Sequence, residues 1–126
     1  MKQLTRAEEQ IMKVLWQLGE AFVRDIIEQL PDPKPAYNTV STIVRILEKK
    51  GFVSHTAFGK SHRYFPLVTR ESYTRQHMKG FVRDYFSDSF KQMVSFFVDK
   101  KDLSLSEMEE IMKLMEVEIK KQKNHG

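Results

Sequence analysis

The sequence has 126 residues, enough for one domain or two small ones, with 40% hydrophobic and 30% charged residues and a formal net charge of +4. It contains no cysteine, which excludes disulfides and thiolate metal sites, and it has no apolar run long enough to span a membrane. The opening stretch MKQLTRAEEQ lacks the apolar core of a signal peptide, so we expect a cytoplasmic protein with no membrane insertion.

The positive charge is concentrated in the first part of the chain. Residues 1–70 carry 11 Lys+Arg against 7 Asp+Glu, a net of +4, whereas residues 71–126 carry 10 of each, a net of zero. A basic first part indicates a polyanionic partner there, although many domains without such a partner are equally basic.

Two helices are predicted before residue 31. Thr5 and Glu8 have the spacing of a capping box, apolar residues then recur at helical spacing, and Gly19 ends the first helix. A second apolar stripe runs from Phe22 to Leu30. The prolines that follow forbid a helix and predict a stiff, extended connector: Pro31, Pro33 and Pro35.

A third helix is predicted from about Ala36 or Tyr37 to Lys50, with Gly51 just past its end. It has one buried stripe, consisting of Val40, Ile43, Val44 and Leu47. Small polar residues and one arginine are expected on the other side: Asn38, Ser41, Thr42 and Arg45.

A β-hairpin follows, with strand residues at 52–57, a turn at 58–61 and strand residues at 62–67. Three helices and a hairpin are the order of a winged helix-turn-helix domain, which we place at residues 1–70. The predicted fold class is therefore mainly α with a small β-hairpin wing.

The third helix has the composition expected of a helix that enters the DNA major groove. Short side chains let the backbone approach, and hydroxyls and amides hydrogen-bond to base edges. Basic residues at its far end and on the hairpin would lie near the flanking phosphates. We therefore expect base contacts from Tyr37, Asn38, Thr39, Ser41 and Thr42, and phosphate contacts from Arg45, Lys49, Lys50, Lys60, His62 and Arg63.

Residues 71–126 predict three further helices, the last opened by a second capping box at Ser104 and Glu107. We expect His77 to be packed among the apolar residues of the first of them. These residues are too few to bury their own aromatic stripes, which favours a homodimer over a compact monomeric bundle. The expected dimerisation residues are Phe81, Tyr85, Phe86, Phe90, Met93, Phe97, Met108, Ile111, Met112 and Met115.

Three stretches resemble the penicillinase-repressor (BlaI/MecI-type) family of transcriptional repressors. LTRAEEQIMKVLW is similar to the family's opening helix, and NTVSTIVRILEKKGFVSH to its recognition helix and first wing strand. SFFVDKKDLSLSEMEEI is similar to its dimerisation segment. The resemblance implies a homodimer that binds a palindromic operator in double-stranded DNA and represses β-lactam-resistance-type genes.

The resemblance also implies inactivation by a protease that a membrane-bound sensor controls. The family's cleaved bond lies between Asn and Phe and corresponds here to Phe96–Phe97. The residue before the bond is therefore Phe in place of the family's Asn, which departs from the family's cleavage pattern. Ser41 stands where staphylococcal members have arginine, so the operator sequence cannot be transferred. The absence of cysteine argues against the copper-responsive relatives, whose tails are rich in cysteine.

Other functions have less support in the sequence. No catalytic motif is present, so we expect neither an enzyme nor a cofactor. His55 and His62 could share a metal across the hairpin, although wing surface or phosphate contacts account for them more simply. A regulator that senses a small molecule and a protein-docking module remain as alternatives.

Overall fold

The computed structural model describes residues 3–125, in which it contains six helices and one two-stranded antiparallel sheet. This order confirms the predicted fold class, a winged helix followed by three helices. The elements are α1 (Arg6–Leu18), α2 (Val23–Gln29), α3 (Tyr37–Lys49), β1 (Val53–Phe58), β2 (Ser61–Pro66), α4 (Arg70–Phe86), α5 (Phe90–Asp99) and α6 (Leu105–His125).

The start of α1 confirms the predicted capping box. The backbone N–H of Glu8 donates to Thr5 Oγ1 at 3.1 Å, and the N–H of Thr5 donates to Glu8 Oε1 at 2.8 Å. Gly19 ends the helix with a φ of 83°, a conformation that glycine adopts without steric cost. Both ends of α1 are therefore fixed by local sequence.

A hydrophobic core lies between α1, α2, α3 and the hairpin. Each helix contributes one apolar face, spaced at three and four residues, so that side chains on successive turns meet. The buried hydrophobic residues of this cluster are Ile11, Met12, Val14, Leu15, Ala21, Val23, Ile26, Leu30, Val40, Val44, Leu47, Phe52, Val53 and Tyr64.

A short backbone bridge joins the α1–α2 connection to the hairpin. The N–H of Ala21 donates to the carbonyl of Tyr64 at 2.9 Å, and the N–H of Tyr64 donates back at 2.8 Å. The hairpin is thus fixed to the helices by main-chain hydrogen bonds as well as by packing.

The hairpin turn is shorter than predicted. Phe58 pairs with Ser61, which leaves Gly59 and Lys60 as the two turn residues. Gly59 has a φ of 61°, as a two-residue hairpin loop requires. The tip of the wing therefore presents Lys60 to solvent.

The first turns of α4 pack on the winged helix. The Tyr73 ring lies 5.5 Å from Trp16 and 6.1 Å from Phe52 between ring centroids, and its hydroxyl donates to Glu9 Oε2 at 2.8 Å. The expectation that His77 is packed in a core is wrong: it is exposed, and its packing is a stack on the Tyr73 ring with the centroids 5.7 Å apart.

The chain divides into two compact units between Met78 and Lys79. This division comes later than the boundary at residue 70 that the sequence indicated. The docking of Tyr73 accounts for the difference, since it places the beginning of α4 in the first unit. The helix itself continues through the division.

The second unit consists of the end of α4 with α5 and α6. Ser87 and Asp88 adopt positive φ angles of 52° and 61° and end α4. Ser104 and Glu107 form the predicted capping box of α6, with bonds of 3.1 and 3.2 Å. Within residues 3–125, no helix has the length and apolar character needed to cross a membrane.

Candidate nucleic-acid interface

One face of α3 is exposed and polar while the opposite face is buried. Val40, Val44 and Leu47 have at most 1% of their surface exposed, whereas Asn38 and Thr42 are exposed. Residues four apart on a helix lie one above the other, so these two polar side chains form a continuous stripe. The stripe continues with Arg45 and Lys49, which are also exposed, and Tyr37 and Thr39 are exposed beside it.

Ser41 departs from the predicted exposed face. It is 7% exposed, and its Oγ accepts a 3.0 Å hydrogen bond from Nη2 of Arg45. The expected placement of Ser41 among the exposed residues is wrong because it lies about 60° from Val44 around the helix axis, at the border of the buried stripe. Its hydroxyl faces Arg45 instead of solvent.

Ile46 is an exposed residue of α3 that sequence reasoning missed. It is 41% exposed and follows Thr42 by four residues, so it lies on the same side of the helix. An isoleucine outside the buried stripe was the available signal. An apolar side chain here can contact the methyl group of thymine in a major groove.

Three of the predicted phosphate-binding cations form no ion pair with any residue from 3 to 125. Among the described residues, no carboxylate lies within 4.0 Å of the charged groups of Arg45, Lys49 or Lys60. All three side chains are exposed. They are available to a polyanion without breaking a contact to an acidic group.

Lys50 has a partner inside the protein. Its Nζ lies 2.6 and 2.9 Å from the two carboxylate oxygens of Glu8, which is 4% exposed. Burial raises the pKa of Glu8, but hydrogen bonds from Lys50 and Thr5 and the charge of Lys50 outweigh it, so this pKa lies below its ordinary value of 4.5. The pair joins the end of α3 to the start of α1.

Arg63 also has internal partners. Its Nε lies 3.5 Å from Glu20 Oε2, and its guanidinium carbon lies 4.6 Å from the centroid of the Phe58 ring. The Phe58 ring in turn meets Phe22 edge-on at 5.9 Å. Arg63 therefore holds the hairpin near the α1–α2 connection, in addition to any contact with phosphate.

The two hairpin histidines stack on each other. The rings of His55 and His62 are 4.0 Å apart between centroids and 7° from parallel, and Nδ1 of His55 lies 2.7 Å from Glu48 Oε2. They lie diagonally on one face of the hairpin because His55 pairs with Tyr64 and His62 pairs with Ala57. Residues 3–125 contain no group of three or more metal-binding side chains around them.

An open groove borders the polar stripe between α2, the start of α3 and the hairpin. Phe22 and Phe58 form its apolar part, and its polar part includes Arg24, Tyr37 and His62. Arg24 is exposed. It was not predicted to take part in binding, because in the sequence it is one of several charged or polar residues on the solvent-facing side of α2.

A polar, exposed third helix with free cations beside a hairpin defines a winged-helix protein of the nucleic-acid-binding class. The model of the penicillinase repressor family matches residues 4–117. The chain therefore belongs to the penicillinase repressor family, and the resemblance found in its sequence is confirmed.

Two curated relatives and one solved structure illustrate the relationship. The methicillin resistance regulatory protein MecI of Staphylococcus aureus strain N315 is 29% identical over 114 residues, which are 90% of this chain and 93% of MecI. The penicillinase repressor of Bacillus licheniformis is 25% identical over 115 residues, 90% of each chain. The solution structure of the DNA-binding domain of the repressor BlaI is 28% identical, with a TM-score of 0.50, over 56% of this chain and 88% of that one.

These findings support a DNA-binding repressor. The family is one of repressors and not of enzymes, in agreement with the sequence. The BlaI likeness covers about the length of the first unit, which contains α3 and the hairpin.

Proposed function

We propose that the protein is a homodimeric, sequence-specific repressor whose α3 enters the major groove of a palindromic operator. The exposed polar stripe of α3, opposite its fully buried stripe, is the observation that supports this most strongly. Solubility alone does not require short polar side chains on this exposed face, because longer charged side chains would provide it equally well.

Base contacts are assigned to the leading residues of the helix. Asn38 offers an amide that matches adenine, and the hydroxyls of Thr39 and Thr42 match several bases. Tyr37, which is 52% exposed, extends the set at the start of α3. We leave Ser41 out of this set because its side chain is buried.

Phosphate contacts are assigned first to Lys49 and Lys60, which are exposed and lack acidic partners among the described residues. His62 is exposed on the hairpin and joins them. Lys50 and Arg63 are secondary candidates, because an internal carboxylate already neutralises part of their charge.

Dimerisation is assigned to the second unit. Met112 and Met115 are 60% and 53% exposed on α6, and Tyr85 is 74% exposed on α4. Large apolar side chains left this exposed favour an interaction site, and a second copy is the simplest partner that supplies a matching face. The exposed members of the expected set are Phe81, Tyr85, Phe90, Phe97, Ile111, Met112 and Met115, whereas Phe86, Met93 and Met108 are half-buried within the chain.

Regulation by proteolysis of the Phe96–Phe97 bond is part of the proposal. Both side chains are accessible, at 45% and 37%, but the bond lies inside α5. The carbonyl of Phe96 accepts from the N–H of Lys100 and that of Phe97 from the N–H of Asp102, both at 3.0 Å. A protease, controlled by a membrane sensor, would first have to unwind this end of α5. By analogy with the named relatives, the regulated genes are of the β-lactam-resistance type, and repression takes place in the cytoplasm.

The test is binding of an operator selected from random duplexes, followed by fluorescence anisotropy with single variants. Asn38→Ala and Thr42→Ala should each weaken operator binding by about 1–3 kcal/mol and relax one base position. Thr74→Ala, which removes an exposed threonine from α4, is the matched control and should leave binding unchanged. Equal binding of selected and random duplexes by the unaltered chain would contradict the proposal.

A further inference from the structure

The hydrogen bond between Ser41 and Arg45 constrains a long, flexible side chain of the polar stripe. Ser41 is 7% exposed and belongs to the packed part of α3, so its Oγ is a fixed acceptor. Nη2 of Arg45 donates to that oxygen at 3.0 Å. This hydrogen bond holds the guanidinium over the preceding turn of the helix and limits the orientations of the side chain.

The acidic residue best placed to compete for Arg45 is already engaged. Glu48 follows Arg45 by three residues on the same helix, a spacing at which ion pairs form. Its Oε2 instead lies 2.7 Å from Nδ1 of His55 on the hairpin. Among residues 3–125, Arg45 has Ser41 as its side-chain partner, and its charge is left for an external group.

We propose that Arg45, positioned by Ser41, reads a guanine in each operator half-site. The inference rests on the proposed function and deepens it, since sequence reasoning assigned Arg45 to phosphate. One N–H of Nη2 is used by Ser41, and the remaining donors still form a fork of two parallel N–H groups. Such a fork matches O6 and N7 of guanine in the major groove. Arg45 lies seven residues after Asn38 on the same stripe, so it reaches the same groove two turns further along.

Ser41 is a positioning residue in this account. It touches no base, and it acts by limiting the orientations of the guanidinium, which makes the fork available without further ordering.

The experiment uses the full chain and a selected operator in which each guanine is replaced, one at a time, by 7-deazaguanine, which lacks the N7 acceptor. For the unaltered chain, one replacement per half-site should weaken binding about 5- to 150-fold. Arg45→Ala, which removes every donor of the side chain, should bind the replaced and unreplaced duplexes equally. Lys49→Ala, a nearby cation of the same stripe, should remain sensitive to the replacement.

Ser41→Ala separates positioning from stability. It should reduce the sensitivity to 7-deazaguanine in the unaltered chain and should have no further effect on that sensitivity in the Arg45→Ala background. A purely structural role would weaken binding to every duplex equally. Sensitivity to 7-deazaguanine that persists in Arg45→Ala would overturn the inference while leaving the proposed function intact. If the unaltered chain showed no preference for the operator over random duplexes, both the inference about Arg45 and the proposed function would be contradicted.

Discussion

The Nζ of Lys50 lies 2.6 Å from Oε1 of Glu8 and joins the residue after α3 to the first turn of α1. The lysine side chain is 23% exposed and the glutamate side chain 5%. We expected Lys50 to contact DNA phosphate. It therefore also holds the end of α3 against the start of α1.

Removing this cation should destabilise the fold. Lys50→Ala leaves the Glu8 carboxylate buried without its charged partner, and we expect the free energy of unfolding to fall by about 1–3 kcal/mol. Urea unfolding followed by circular dichroism measures it. Lys49→Ala, one residue away and exposed, should change stability by less than about 0.5 kcal/mol. Equal losses for the two variants would contradict the role of the pair.

The same pair makes stability depend on pH. The pKa of Glu8 is lowered in the folded state, so the unfolded chain takes up the proton first as the pH falls. The contribution of Glu8 is fully present above its ordinary pKa of 4.5 and is lost as the pH falls through the lowered folded-state pKa. Urea midpoints measured from pH 7 to pH 3 should fall less steeply for Glu8→Gln than for the unaltered chain. Superimposable profiles would show that this carboxylate is not the titrating group.

Tyr73→Phe tests the attachment of α4 to the first unit. It removes the 2.8 Å hydrogen bond to Glu9 and keeps the ring against Trp16 and Phe52, so we expect a loss of about 1–2 kcal/mol. Tyr85→Phe removes a hydroxyl from a side chain that is 74% exposed and should have almost no effect on unfolding.

The titration of Tyr73 offers an independent check. Burial, the hydrogen bond to Glu9 and the charge of Glu9 together raise the pKa of Tyr73 to about 12. The difference in phenolate absorbance between the unaltered chain and Tyr73→Phe should therefore appear near pH 12. A difference centred near pH 10, the ordinary value, would mean that the hydroxyl is exposed in solution.

The prediction that Lys60 at the wing tip contacts phosphate has a distinct signature. Lys60→Ala should weaken binding to operator and random duplexes by similar factors, and the slope of log affinity against log salt should become less steep by about one. Lys13, which pairs with Glu9 on α1 at 3.5 Å, supplies the control Lys13→Ala with an unchanged slope. A loss confined to the operator would instead indicate a base contact.

Self-association should depend on the apolar face of α6. Met112→Asp places a charge in that face and should shift the sedimenting species from twice the 14.9 kDa chain mass to the monomer at micromolar concentration. Ser106→Asp adds the same charge outside the apolar stripe and should leave the dimer intact. An unaltered chain that sediments as a monomer would refute the assignment.

Local sequence predicted the elements because their signals are local. The capping boxes at Thr5 and Ser104 and the break at Gly19 each require only a few consecutive residues, and all three appear in the structure. Spacing alone also predicted the buried stripe of α3: Val40, Val44 and Leu47 are buried, and Ile43 is half-buried against the same core.

The errors arise where a neighbour comes from a distant part of the chain or where a residue lies at the edge of a stripe. Lys50 meets Glu8 across 42 residues and Arg63 meets Glu20 in the α1–α2 connection, and no local pattern indicates either contact. Ser41 was placed on the wrong side because helical periodicity is ambiguous about 60° from the buried stripe.

Dimethyl sulfate footprinting of the selected operator tests the central claim most directly, since this reagent methylates guanine N7 in the major groove and adenine N3 in the minor groove. The account predicts protection of guanine N7 in two half-sites related by the dyad, and loss of that protection in an Asn38→Ala, Thr42→Ala double variant. Protection of adenine N3 alone, or of one half-site alone, would contradict the insertion of two α3 helices into the major groove.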